Sequence, residues 1–177
     1  MKRIFAIALS ALMLSGCGAM GAALRENQRK IPEDWYTQTL DYYEEGVSSN
    51  WANERDDLYI TDEEKNSKLG YYLVDLDGDG ALEVLIGIID DSEATHFTDL
   101  YVWHGDLGAM RTFSGFGDGY YIYLCEDNVL RTDNWRGSET EIRYMKYDSV
   151  NNSYPIIDPA GEPAPLKVEL TPFGDGR

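Results

Sequence analysis

The stretch of this chain best equipped for chemistry is Asp75-Leu76-Asp77-Gly78-Asp79-Gly80-Ala81-Leu82-Glu83. Acidic residues occupy its first, third, fifth and ninth positions, and glycine its sixth. That alternation folds a short loop around a hard divalent cation: Gly80 permits the sharp bend, and a backbone carbonyl, here that of Ala81, serves at the seventh position. Calcium takes six to eight oxygens at about 2.3–2.6 Å, and crowded carboxylates repel one another until a cation arrives. An EF-hand would place a bidentate Glu at position twelve, which is Ile86 in this chain. The flanks, Tyr71-Tyr72-Leu73-Val74 and Val84-Leu85-Ile86-Gly87-Ile88-Ile89, read as strands buried on both faces, so the loop joins strands rather than helices.

The run from Tyr72 to Gly87 resembles the strand–calcium-loop–strand unit of FG-GAP and VCBS-type repeats, which build the integrin-alpha β-propeller. The resemblance implies Ca2+ as cofactor, Asp75, Asp77, Asp79 and Glu83 as side-chain ligands, and Ala81 as the carbonyl ligand. Glu83 departs from the pattern, since such loops usually carry Asp there, and its longer side chain would ligate through water. The match spans residues 71–89 only. A propeller needs at least about four blades of four strands, more than this chain supplies.

Other constellations are weaker. Asp90, Asp91, Glu93 and Asp99 cluster beyond the second strand and could supply a carboxylate pair for glycan hydrolysis, although a solvated acidic loop is the simpler reading. His96 and His104 would lie roughly 27 Å apart along an extended strand at about 3.4 Å per residue, too far to share a zinc. Gly115-Phe116-Gly117-Asp118-Gly119 lacks the Lys and the following helix of a phosphate loop. Cys125 sits in an apolar strand and reads as an inert buried thiol. Trp103, Tyr120, Tyr121, Tyr123, Trp135, Tyr144 and Tyr147 are core residues by default; any exposed on a sheet would offer a stacking surface for a glycan or a protein partner.

The elements that position these groups are mostly strands. Tyr-, Val-, Ile- and Thr-rich segments at 70–76, 82–89, 98–104, 110–114, 120–125, 129–134, 139–147 and 153–157 are separated by turn chemistry at Gly105-Asp106, Gly115–Gly119, Glu126-Asp127-Asn128, Gly137-Ser138 and Asn151-Asn152. Short connections imply antiparallel neighbours. Ahead of them, the spacing predicts a helix from Pro32 to Val47 with Tyr36, Leu40, Tyr43 and Val47 on its apolar face. Thr61-Asp62-Glu63-Glu64 has capping-box spacing. The tail carries Pro159, Pro163, Pro165 and Pro172 and is expected to edge the sheet near 166–170. The predicted fold is therefore mainly β (α+β): an antiparallel β-meander with one N-terminal helix packed on it.

The N-terminus sets the compartment. Lys2 and Arg3 precede an apolar run from Ile4 to Leu14, too short to span a bilayer but suited to a signal peptide. Leu14-Ser15-Gly16-Cys17 resembles the lipobox of bacterial lipoproteins. The resemblance implies a diacylglycerol on Cys17, cleavage before it and acylation of the new amine, anchoring the chain on the extracytoplasmic face of the cell membrane. The expected organisation is residues 1–16 as signal peptide, 17–31 as lipidated tether and 32–177 as a single calcium-loop β domain with a Pro-rich tail. The order lipobox, tether, helix, single loop and Tyr-rich meander is loosely similar to surface lipoproteins of Gram-positive anaerobes. A net charge of −17, which becomes −19 without Lys2 and Arg3, repels nucleic acid, while 13 Tyr, 5 Phe and 4 Trp argue against a disordered chain. The functional expectation is a lipid-anchored binding or scaffold lipoprotein stabilised by one Ca2+, with an extracellular hydrolase acting on glycans as the alternative.

Overall fold

The computed structural model describes residues 32, 34–52, 60–104, 107–114 and 120–174. The chain divides into Met1–Ile31 and Pro32–Arg177. The expected signal peptide, Cys17 and the expected tether fall in the first unit and lie outside the described residues, as does Gly115–Gly119. Among the described residues, no helix is long and apolar enough to cross a membrane.

Among the described residues, the β-branched and aromatic segments form nine strands: β1 (Leu69–Val74), β2 (Glu83–Ile88), β3 (His96–Trp103), β4 (Ala109–Ser114), β5 (Tyr120–Leu124), β6 (Leu130–Arg136), β7 (Glu139–Met145), β8 (Ile156–Ile157) and β9 (Thr171–Pro172). They make one antiparallel sheet in the order β8-β7-β6-β5-β3-β2-β1-β9, with β4 paired to β3 off that path. The chain is thus a β-dominated α+β fold. The path is not a simple meander. The eight-residue β3 is long enough to take two partners end to end, pairing β4 from Asp99 to Trp103 and β5 at His96 and Phe97.

Register assigns the faces. Leu85 opposite Leu100 and Phe97 opposite Ile122 point to one side, where Leu76, Val102, Leu124, Leu130 and Tyr147 complete the main core. Val84 opposite Tyr101 and Ile86 opposite Asp99 point to the other side. Here lies α1 (Thr37–Ser48), which starts five residues later than the sequence pattern suggests. Its buried face is Thr39, Leu40, Tyr43 and Gly46; Tyr36 and Val47 are only half-buried. The rotation has a local cause. Trp51, just past the helix, packs edge-on against Tyr42 and Tyr43, and its ring occupies the space a side chain at Gly46 would need. Tyr43 also stacks on Phe173, which in turn meets Tyr71 of β1. A second, five-residue helix, α2 (Asp62–Asn66), carries the expected capping box: the Thr61 hydroxyl accepts from the Glu64 N–H at 3.2 Å, and the Glu64 carboxylate accepts from the Thr61 N–H at 2.8 Å.

The proline-rich tail is a strap. From a bridge at Cys125–Pro165 it crosses Thr95, whose N–H donates to the Leu166 carbonyl at 3.0 Å, and ends as β9 on the outer edge of β1. Its alternation is strand-like: Leu166, Val168 and Leu170 pack on the main core while Lys167 and Glu169 face solvent. The edge pairing falls at Thr171–Pro172, just past the expected 166–170.

Candidate metal centre

Strands β1 and β2 deliver the two ends of the loop, and positive φ at Gly78 (78°) and Gly80 (91°) turns the chain between them. The turn brings Asp75, Asp77 and Asp79 together, each offering a carboxylate oxygen within 4.8 Å of the others. Oxygens on one calcium ion, each at about 2.3–2.6 Å, can be at most about 5 Å apart, so this donor set has the chemistry and spacing of a hard-cation site. Asp75 is half-buried, and Asp77 and Asp79 are exposed.

The loop's own N–H groups organise these carboxylates. Asp75 accepts from Gly78, Asp79 and Gly80 at 2.7, 3.1 and 3.0 Å, Asp77 accepts from Asp79 at 3.3 Å, and Asp79 accepts from Ala81 at 2.8 Å. Two partners come from far away in sequence. Ser149, between β7 and β8, donates its N–H to Asp77 at 3.0 Å and its hydroxyl to Asp79 at 3.2 Å. The Asn128 amide donates to the Asp75 carbonyl at 2.7 Å. Neither residue carries a sequence signal that distinguishes it from other turn Ser or Asn residues.

Glu83 has a different setting from the three aspartates. It is buried at the start of β2, and its Oε2 accepts from the Leu76 N–H at 2.8 Å, bracing the loop from inside. Burial pushes its carboxyl up to about 8, partly offset by the Leu76 N–H and reinforced by Asp77, Asp79 and Asp75. Ala81 joins the loop through the N–H it donates to Asp79.

The second acidic cluster has divided surroundings. Asp90 lies on a surface turn beside His96 (3.7 Å) and Lys167 (3.6 Å); Asp91 and Glu93 are exposed. Asp99 is buried beneath α1, bonded to Tyr43 and Arg111. Cys125 is buried, and that burial pushes its thiol up to about 11, which fits an inert group. Of the singled-out aromatics, Tyr147 is buried and Trp135 is exposed, the others half-buried. The register places Tyr121, Tyr123, Trp135 and Tyr144 on one face of β5–β7, around the Arg131–Asp133 ion pair at 2.6 Å.

No protein-family model matches the chain, and no curated protein or solved structure matches it, so the likeness to integrin-alpha-type repeats rests on the loop alone.

Proposed function

We propose that this chain is a lipid-anchored binding or scaffold lipoprotein on the extracytoplasmic face of the cell membrane, stabilised by one Ca2+ at the Asp75–Glu83 loop. The observation that carries the reading is the convergence of Asp75, Asp77 and Asp79 between two core strands. Those three would hold the ion, with Ala81 and Glu83 next to them in the loop. The cation would supply charge neutralisation, opposing the repulsion among the aspartates and the upward shift of Glu83. Through Ser149 it would also tie the β1–β2 turn to the β7–β8 turn. The Cys17 lipid supplies the membrane contact. The half-exposed aromatic face of β5–β7 supports the binding role, for a protein or glycan ligand.

The test has two arms. Calorimetric titration with Ca2+ and thermal melts in EDTA and in millimolar Ca2+ should show heat and a raised melting temperature. No heat and an unchanged melt would remove the metal from the reading. Detergent partitioning of Cys17→Ser should lose the membrane fraction; a variant that stays with membranes in high salt is held there by something other than lipid.

A further inference from the structure

Two buried carboxyl groups meet on the α1 side of the sheet. Asp99 of β3 is 1% exposed and Glu64 of α2 is 2% exposed. Glu64 uses one oxygen for its capping box, accepting from the Thr61 N–H at 2.8 Å and the Thr61 hydroxyl at 2.9 Å. Its other oxygen, Oε1, is buried with no hydrogen-bond donor. Asp99 accepts from the Tyr43 hydroxyl at 2.7 Å and from Thr98 at 3.3 Å on one oxygen, and from Arg111 at 3.4 Å on the other. Glu64 lies against Asp99, close enough for its carboxyl to act on that of Asp99. Two ionised carboxylates are acceptors only, so a bond between them requires a proton. That same proton supplies the donor missing at Glu64.

We propose that Asp99 and Glu64 share one proton and form a latch that fastens α2 to β3 beneath α1, and that loss of this proton releases α2. The surrounding groups leave the switching to the carboxyl pair. Tyr43 and Tyr42 come from α1, Tyr101 from β3, Arg111 from β4, and β2 presents Ile86 opposite Asp99. Burial, then the Asp99 charge, raises the Tyr43 and Tyr101 hydroxyls, which stay neutral, and Asp99 holds Arg111 charged. Burial and then the Glu64 charge push Asp99 up to about 7. A folded-state value above the ordinary carboxylate range means the latch contributes fully below that range. Its contribution is lost as pH rises through about 7, and the folding constant falls by up to about ten-fold per pH unit on the way.

The experiment uses the full chain in detergent and EDTA, with urea melts from pH 5 to 9 and hydrogen-exchange protection of residues 60–66 relative to β2. Glu83, at about 8, adds its own pH slope, so the readout is the difference between wild type and variant. In Asp99→Asn the amide donates to Glu64 without titrating. This variant should lose up to about ten-fold per pH unit of the wild-type dependence and hold its 60–66 protection at high pH. Glu64→Gln should behave alike, one amide atom serving the cap and the other Asp99. Identical pH dependence in wild type and both variants, or pH-independent protection of 60–66 in the wild type, overturns the latch. If neither variant folds, carbon-13 titration of the assigned Asp99 and Glu64 carboxyls, kept apart from Glu83, decides: one of the two titrating near neutrality supports the latch, and both titrating below pH 5 overturn it.

Discussion

Gly46→Ala sets two effects against each other. In a helix interior the change ordinarily gains about 1 kcal/mol, because glycine loses more backbone entropy on folding. Here a Cβ would stand 2.2, 2.4 and 2.7 Å from three ring atoms of Trp51, against an ordinary carbon contact of about 3.5–4.0 Å. The ring would have to retreat by more than an ångström, yet it is wedged against Tyr42 and Tyr43, with centroids at 6.0 and 5.9 Å. Its backbone is also fixed, since the Trp51 N–H donates to the Gly46 carbonyl at 2.7 Å. Forcing volume into such a site costs about 1–3 kcal/mol, and expelling the indole approaches the roughly 3–5 kcal/mol of a buried Trp truncation. Sterics win, and the expected net loss is about 1–3 kcal/mol, read as a lower urea midpoint at constant m-value. The double mutant supplies the control. In a Trp51→Ala background the obstruction is gone, so Gly46→Ala should raise stability by about 0.5–1 kcal/mol. A stabilising Gly46→Ala in the wild type, or an equal loss in both backgrounds, would refute the steric account.

Three further outcomes follow from the same structure. Leu40→Ala should cost about 2–4 kcal/mol in a urea melt, since Leu40 is 2% exposed on the buried face of α1; a loss under about 0.5 kcal/mol would show the helix to be undocked. Asp79→Ala should abolish most of the calcium-dependent stabilisation, about 1.4 kcal/mol at free calcium ten times the dissociation constant, while circular dichroism still reports a sheet. Cys125, its thiol raised to about 11 by burial, should react slowly with a maleimide at pH 8 in the native Cys17→Ser chain and rapidly in urea; equal rates would place the thiol at the surface.

What could be read from the sequence was local. Turn chemistry such as Gly137-Ser138 separated β6 from β7 correctly, and Thr61 and Glu64 announced their own cap. The Asp75, Asp77 and Asp79 spacing found the one group of three acidic residues whose carboxylates converge closely enough for a metal ion among the described residues. What escaped was non-local. The helix face was half legible: Leu40 and Tyr43 are buried as their spacing indicated, Tyr36 and Val47 are only half-buried, and the packing of Trp51 against Gly46 comes from outside the helical repeat. Ser149 reaches Asp77 and Asp79 from a turn that nothing nearby in sequence points to. Glu83 matched a loop position by spacing, but which donor a buried carboxylate meets depends on the packed strands, and its Oε2 took the Leu76 N–H. The fork at β3 is a matter of strand length and return path, which periodicity does not encode.

The strap bears on the order in which this sheet can be completed. β1 pairs with β2 across a short loop, so that hairpin can form early, but its outer edge waits for Thr171–Pro172 at the far end of the domain. Until then the edge presents unpaired N–H and C=O groups, and the apolar surface later covered by Leu166, Val168 and Leu170 stays open to other chains. Closure is therefore the step with the longest loop to bring together, and the last safeguard against edge-to-edge association. A chain nicked at the exposed Gly161–Glu162 bend should keep most of its strands yet associate with its own kind, because the clasp protecting the first strand would then be held by contacts alone.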